Sequence, residues 1–263
     1  MAGDRRAAGA LDGTGAAGTP PGRAAVGAPG RPWSRYDDAR TAVVRDILRT
    51  VIAALAAQAG RARLDILDAG GGTGGFAVPL ASLGHNVTVI DPSPDSLAAA
   101  ERRAAEMNVP LSVVQGDVAD LAMVAGEASA DLVLCHSVLE YVDSPPDAMA
   151  SIAQVLRPAG AVSVLAASSV AAVIHRALAG RFDDARRLLD GIAGGPGQPA
   201  VPAATGAPGT GPASPAAGPR RFTLAAVVGL IEGAGLHAGP AHGVRVFADL
   251  VPGMFADADP GAA

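Results

Sequence analysis

Residues Leu64 to Gly75 read L-D-I-L-D-A-G-G-G-T-G-G: a short apolar run closes on Asp68, and the chain then passes five glycines before helical sequence begins. Glycine tolerates backbone conformations and close approaches that a Cβ forbids, so glycines at this density straight after a buried strand mark a turn pressed against a ligand. The ligand expected is a nucleoside.

The loop fits two chemistries. Gly70, Gly72 and Gly75 satisfy G-x-G-x-x-G, while Asp68, Gly70, Gly72 and Gly74 satisfy acid-x-G-x-G-x-G. A dinucleotide site would use the loop to receive a pyrophosphate at a helix N-terminus. A site for S-adenosylmethionine holds no phosphate. There an acid before the glycines suits the ligand's ammonium, and a second acid at the end of the next strand suits the ribose hydroxyls. The next strand, N-V-T-V-I-D, ends in Asp91, about 20 residues past the loop, which serves either nucleotide.

Outward from the loop, strands are expected at 64–68, 87–91, 111–115, 131–136 and 161–166, alternating with helical segments. That order implies a parallel sheet with right-handed crossovers, a doubly wound, Rossmann-like α/β fold with helices on both faces. From Tyr36 to Ala59, Val43, Val44, Ile47, Leu48, Val51, Ile52 and Leu55 recur at helical spacing, so an amphipathic helix precedes the first strand. Residues 1–32 are rich in Gly, Ala and Pro, offer little apolar surface, and are expected to be a disordered tail. Residues 33–190 form the expected cofactor-binding core with its cap helix. Residues 191–219 read as a flexible Pro/Gly/Ala-rich insertion that cannot carry a sheet strand. Residues 220–256 resume the same domain, with Thr223 placed to cap a helix, and 257–263 form a frayed tail.

The 263 residues suffice for one large domain. Lys is absent, the 20 basic residues are all Arg, and the formal net charge is −5. That balance shows no clustered basic face of the kind that drives nucleic-acid affinity. The lone Cys135 lies inside an apolar strand and reads as a packed thiol, which fits a reducing cytoplasm. No signal peptide or membrane helix is expected, since no apolar run follows Arg5 and Arg6 and the most apolar stretch, Ala159 to Ile174, is too short to span. His85, His237 and His242 show no metal-ligand spacing, so no metal is expected.

Three later segments decide between the two chemistries: V-V-Q-G-D-V-A-D (Val113 to Asp120), A-D-L-V-L-C-H-S-V-L-E-Y-V (Ala130 to Val142) and V-L-R-P-A-G-A-V-S-V-L (Val155 to Leu165). With the glycine loop they resemble the class I adenosylmethionine-dependent methyltransferases, in correct order from Asp65 to Ala166. The resemblance implies S-adenosylmethionine as cofactor, Asp117 near the adenine amino group, methyl transfer at the end of the fourth strand, and an L-R-P-x-G turn into the fifth. A narrower match adds the helix H-R-A-L-A-G-R-F-D-D-A (His175 to Ala185) and G-V-R-V-F (Gly243 to Phe247). Together these resemble the bacterial tRNA 5-carboxymethoxyuridine methyltransferases, which esterify the carboxylate of a modified wobble uridine, over about Tyr36 to Leu250. This implies cofactor contacts at Arg45, Gly70, Gly71, Asp91, Asp117, Val118 and His136, beside Asp68 and Gly72 of the loop. Two departures stand out. Only Arg220 and Arg221 precede the helix at Phe222, where that family has a basic run. The chain also stops soon after G-V-R-V-F, so the last, antiparallel strand is expected to be missing.

Methyl transfer needs alignment more than proton chemistry. A carboxylate acceptor is already ionised at pH 7 and needs an anchor, for which Arg245 is the first candidate, with a surface salt bridge as its alternative. His136, at the end of the fourth strand, is expected to contact cofactor or substrate, and to act as base for a hydroxyl acceptor. Glu140 is read either as a substrate contact or as a carboxylate at a helix N-terminus. Tyr36 and His175 are further candidates for the acceptor pocket. The expected function is O-methylation of a carboxylate or hydroxyl, on a wobble uridine of tRNA. A small-molecule O- or N-methyltransferase of specialised metabolism and a non-catalytic cofactor-binding partner are the alternatives.

Overall fold

β1 (Asp65–Ala69), β2 (Asn86–Asp91), β3 (Ser112–Gln115), β4 (Ala130–His136) and β5 (Leu156–Leu165) form one sheet in the order β3-β2-β1-β4-β5, every neighbouring pair parallel. The strand order reverses between β1 and β4, and open α/β sheets bind ligands at the carboxyl end of such a switch. The computed structural model describes residues 35–193 and 219–244, with side chains from Thr41 to Ile192 and from Pro219 to Val244. The expected tail at 1–32, most of the 191–219 insertion, Arg245 with the rest of G-V-R-V-F, where a last antiparallel strand would be sought, and the tail from 257 lie outside the described residues.

Alternation along the strands buries both faces of the sheet. Ile66, Val87, Val89, Leu132 and Leu134 meet α1 (Arg35–Ala59) and α2 (Ala77–Ser82) on one side, together with Leu97 of α3 (Pro94–Glu106). Leu67, Ile90, Val133 and Cys135 point the other way, onto α4 (Leu121–Ala125), α5 (Pro145–Val155) and α8 (Leu224–Gly233). α1 buries Val44, Leu48, Ile52 and Leu55 at helical spacing, whereas Val43, expected on that face, is exposed. Burial and the two flanking carboxylates, Glu140 and Asp68, push the Cys135 thiol up to about 12, as a packed, unreactive sulfur requires. α6 (Ser169–Leu178) and α7 (Phe182–Ala193) form a helical hairpin after β5. Thr223 caps α8 as the sequence predicts, accepting from the Ala226 N–H at 3.1 Å, and in the structure Ser93 and Ser144 likewise cap α3 and α5 ahead of Pro94 and Pro145. No described helix is long and apolar enough to cross a membrane.

One element differs from expectation. The R-P-A-G stretch, expected as a turn before a strand at 161–166, lies inside β5, whose pairing begins at Leu156↔Ala130 and shifts register before Ala161↔Leu132. Ala159 takes φ +66 and a Cβ on Gly160 would lie 2.9 Å from the Arg157 carbonyl, so the turn is folded into the strand as a bulge.

At the opposite end of the sheet, Asp131 ties the strands to the loop after α1. Its carboxylate accepts from Arg61 Nη2 at 2.6 and 2.7 Å and from the Asp65 N–H at 2.7 Å, and pairs with Arg157 at 3.0 Å, its side chain only 9% exposed. Asp131→Ala would leave that amide without its acceptor and take from Arg61 and Arg157 one of the two carboxylates they share, Asp65 remaining, an expected loss of about 2 kcal/mol. Urea unfolding should show it as a lower midpoint at constant slope, with Asp131→Asn intermediate because it keeps one acceptor oxygen.

Candidate functional site

At the crest of the sheet the glycine loop leaves β1 and is stitched down by the Gly70 N–H on the Ile90 carbonyl, 2.7 Å. Gly70 has φ +69, and a Cβ there would lie 2.5 Å from Val138 Cγ2, so the loop rests directly on the segment after β4. At Gly71 the constraint is space: a Cβ would come 2.5 Å from the carboxyl carbon of Asp68. Around the corresponding point on Gly72 nothing lies within 4 Å, which leaves that side of the loop open.

Asp68 is 2% exposed; the Ala77 N–H donates to its carboxyl, and Oδ2 is buried and unpartnered. Burial, opposed by that N–H and reinforced by the charge of Asp91, pushes the carboxyl up to about 7. A cation set against it would stabilise the ionised form. Asp91 acts as a buckle at the end of β2: Oδ2 accepts from the Gly72 N–H and Oδ1 from the Ser93 N–H, both at 2.9 Å. Asp117, exposed at the end of β3, accepts from the Ala119 N–H at 2.9 Å, and Val118 beside it packs into the core near Ile90.

His136 ends β4. Its Nε2 lies 2.9 Å from Ser163 Oγ, its ring meets Phe76 edge-on at 4.7 Å and 82°, and Nδ1 is buried without a partner. Burial lowers the imidazole to about 4, so the expectation of a base working near neutral pH gives way to a ring that stays uncharged. Directly after it, Ser137 takes φ +57 and turns the chain sharply across the top of the sheet. Glu140 sits in that turn, ahead of α5, and not at a helix N-terminus. Its Oε1 accepts from the Ala167 N–H at 2.6 Å, while Oε2 is buried and unpartnered. Asp68 Oδ2, His136 Nδ1 and Glu140 Oε2 thus place three unsatisfied buried groups at one end of the sheet, each needing a partner from outside the described chain.

Arg45 is 6% exposed, which overturns the alternative that it sits on a solvated helix face. Arg245 and the Tyr36 side chain lie outside the described residues. His175 is on the exposed side of α6 and Tyr141 is 73% exposed. Arg220, one of the two arginines standing where the resembled family has a basic run, is bonded to the backbone carbonyls of Val142 and, at 3.1 Å, Asp143. Sequence reasoning missed Ser163, Phe76 and Val138. Ser163 alone left a trace, as a hydroxyl interrupting the apolar run V-S-V-L near a strand's carboxyl end.

Residues 67–164 match the family described as a methyltransferase domain. The chain is 33% identical over 129 residues to the tRNA 5-carboxymethoxyuridine methyltransferase of Escherichia coli (strain K12), covering 48% of this chain and 49% of that protein. It is 35% identical over 97 residues to the ubiquinone biosynthesis O-methyltransferase of Methylobacterium nodulans, covering 37% and 38%. The chain therefore spans about half the length, or less, of these relatives. Among solved structures, magnesium protoporphyrin IX methyltransferase from Synechocystis PCC 6803 with bound SAH shares the fold at 16% identity and a TM-score of 0.54, over 81% of this chain and 82% of that one.

Proposed function

We propose that this chain uses S-adenosylmethionine to methylate an oxygen of its acceptor, a carboxylate or a hydroxyl, a reading supported by the match of residues 67–164 to a methyltransferase domain. The observation that carries the reading is the buried Asp68 carboxyl beneath Gly71, whose Oδ2 has no partner among the described residues, with Asp91 closing the next strand. The pair suits a ligand that is cationic at one end and carries a diol, whereas a pyrophosphate at the glycine loop would set its negative charge against Asp68. When bound, the cofactor supplies a methyl carbon activated by its sulfonium charge, which leaves alignment and exclusion of water to the protein. In this reading Asp68 takes the ammonium, Arg45 the carboxylate, Asp91 the ribose, and Asp117 with Val118 the adenine. Gly70, Gly71 and Gly72 let the backbone come close. His136 and Glu140 serve the acceptor, and Arg245 anchors its charge.

The 33% identity to the E. coli tRNA enzyme supports a wobble uridine as acceptor. The commitment of Arg220 to carbonyls, together with the net charge of −5, favours a small molecule as the second reading. Either way the proposed compartment is the cytoplasm. Purified tRNA is expected to bind at about 50 mM salt and to weaken at least about tenfold by 200 mM, since phosphate contacts release counterions. No binding at the lower salt would sink the tRNA assignment and leave the small-molecule one standing.

A further inference from the structure

We propose that Ser163 is a positioning residue: its hydroxyl holds His136 as the tautomer protonated on Nδ1, and the acceptor this N–H recognises is an oxygen already ionised on arrival, a carboxylate rather than a hydroxyl or an amine. The inference rests on the methyl-transfer reading above and narrows its acceptor.

Register places Leu134 opposite Ser163 and His136 opposite Leu165, so Ser163 stands one alternation behind His136 on the adjoining strand. From there Oγ reaches Nε2 at 2.9 Å, while the Phe76 ring bears on the imidazole edge-on. The ring cannot turn without giving up both contacts. Among the described residues Nε2 is the hydrogen-bond partner of the Ser163 hydroxyl. Were Nε2 protonated, the serine's own proton would find no acceptor there, and Nδ1 would be a buried bare lone pair. With Ser163 as donor its proton is used, and the single group left over is a buried Nδ1–H without a partner among the described residues, free to donate to a ligand. Burial keeps the ring neutral, with its ionisation lowered to about 4, so it neither anchors by charge nor takes up a proton at neutral pH.

The chemistry then selects the acceptor. Methyl transfer to a carboxylate joins an oxygen lone pair to the methyl carbon and returns the C–S bond pair to sulfur. One negative charge cancels one positive charge, and no proton is released. A hydroxyl or ammonium acceptor must also shed a proton, which a ring holding its proton on Nδ1 and a hydroxyl donor on Nε2 is not set up to accept.

The test is NMR of the full chain with ¹⁵N-labelled histidine, the His136 signals being assigned by their loss in His136→Gln. In the free protein, between about pH 6 and pH 8, His136 is expected as one neutral tautomer with its proton on Nδ1. Ser163→Ala should give a mixture of tautomers, and Ser163→Thr, which keeps the hydroxyl, should restore the single form. With S-adenosylhomocysteine bound, benzoate as a carboxylate probe should shift the Nδ1–H resonance, benzyl alcohol should not, and Ser163→Ala should weaken the benzoate response about tenfold. A proton on Nε2, a tautomer indifferent to Ser163→Ala, or an equal response to benzyl alcohol would overturn the proposal. Failure of S-adenosylhomocysteine to bind would instead strike the methyltransferase reading, because the tautomer in the free protein is measured without it.

Discussion

Asp91→Ala is expected to lower the affinity for S-adenosylmethionine about a hundredfold, close to 2.7 kcal/mol, in calorimetric titration. The substitution removes two things at once. One is the proposed acceptor for the ribose hydroxyls. The other is the buckle that holds the Gly72 and Ser93 amides, so the loop loses its shape before any ligand arrives. Charge-assisted hydrogen bonds to backbone N–H groups are among the stronger polar contacts, and here two share one carboxylate. Asp91→Asn, which keeps one acceptor oxygen, should fall between the variant and the native protein, and NADH should bind none of the three. Unchanged affinity in Asp91→Ala would remove Asp91 from the site and with it the acid-glycine reading of the loop.

Asp68 is expected to act on stability and on binding with opposite signs. Its folded carboxyl titrates near 7 against 3.8 for the free group, because burial penalises the charge. Between those values the folded state carries a proton that the unfolded state has lost, so stability falls as pH rises from about 4 to about 7 and the loss is complete above that. A displacement of that size corresponds to at most about 4 kcal/mol. Asp68→Asn, isosteric and uncharged, should match the native protein near pH 4 and be more stable than it by several kcal/mol near pH 8, on the order set by that displacement. The same variant should bind S-adenosylmethionine about a hundredfold more weakly at pH 8, having lost the anion proposed to pair with the ligand's ammonium. Parallel pH profiles for the two proteins in thermal unfolding would show that the Asp68 carboxyl is not held against its charge. A stability penalty in the empty protein, recovered on binding, is the behaviour of a site shaped for its ligand.

Much of this was legible in the chain. The apolar run into Asp68, the strand ending in Asp91 and the hydroxyl cap at Thr223 are local signals, each decided by the chemistry of a few adjacent residues. Periodicity found the buried side of α1 because an amphipathic helix shows its inner face in its spacing, missing only Val43 at the margin of that stripe. The bulge in β5 is hidden from such signals, since Pro158 and Gly160 read locally as a turn, and their absorption into a strand depends on the neighbouring β4 to pair with.

The side-chain environment of the site was beyond the sequence for the same reason. Glu140 reads as helical from its spacing, yet its carboxylate is fixed by the Ala167 amide, 27 residues away. Arg220 looks like a spare cation until the Val142 and Asp143 carbonyls are brought against it. His136 has an ordinary imidazole's basicity in the chain and loses it only when Phe76, Ser163 and the sheet remove water from around the ring. By itself the sequence determined the α/β order, the glycine loop and the two strand-end acids, because strand pattern, turn chemistry and loop spacing are properties of contiguous residues. Which polar atoms are left buried without a partner, which arginine is spent on structure, and which nitrogen of His136 is free for a ligand were decided by tertiary structure, because desolvation and hydrogen-bond partnership depend on residues that only folding makes neighbours.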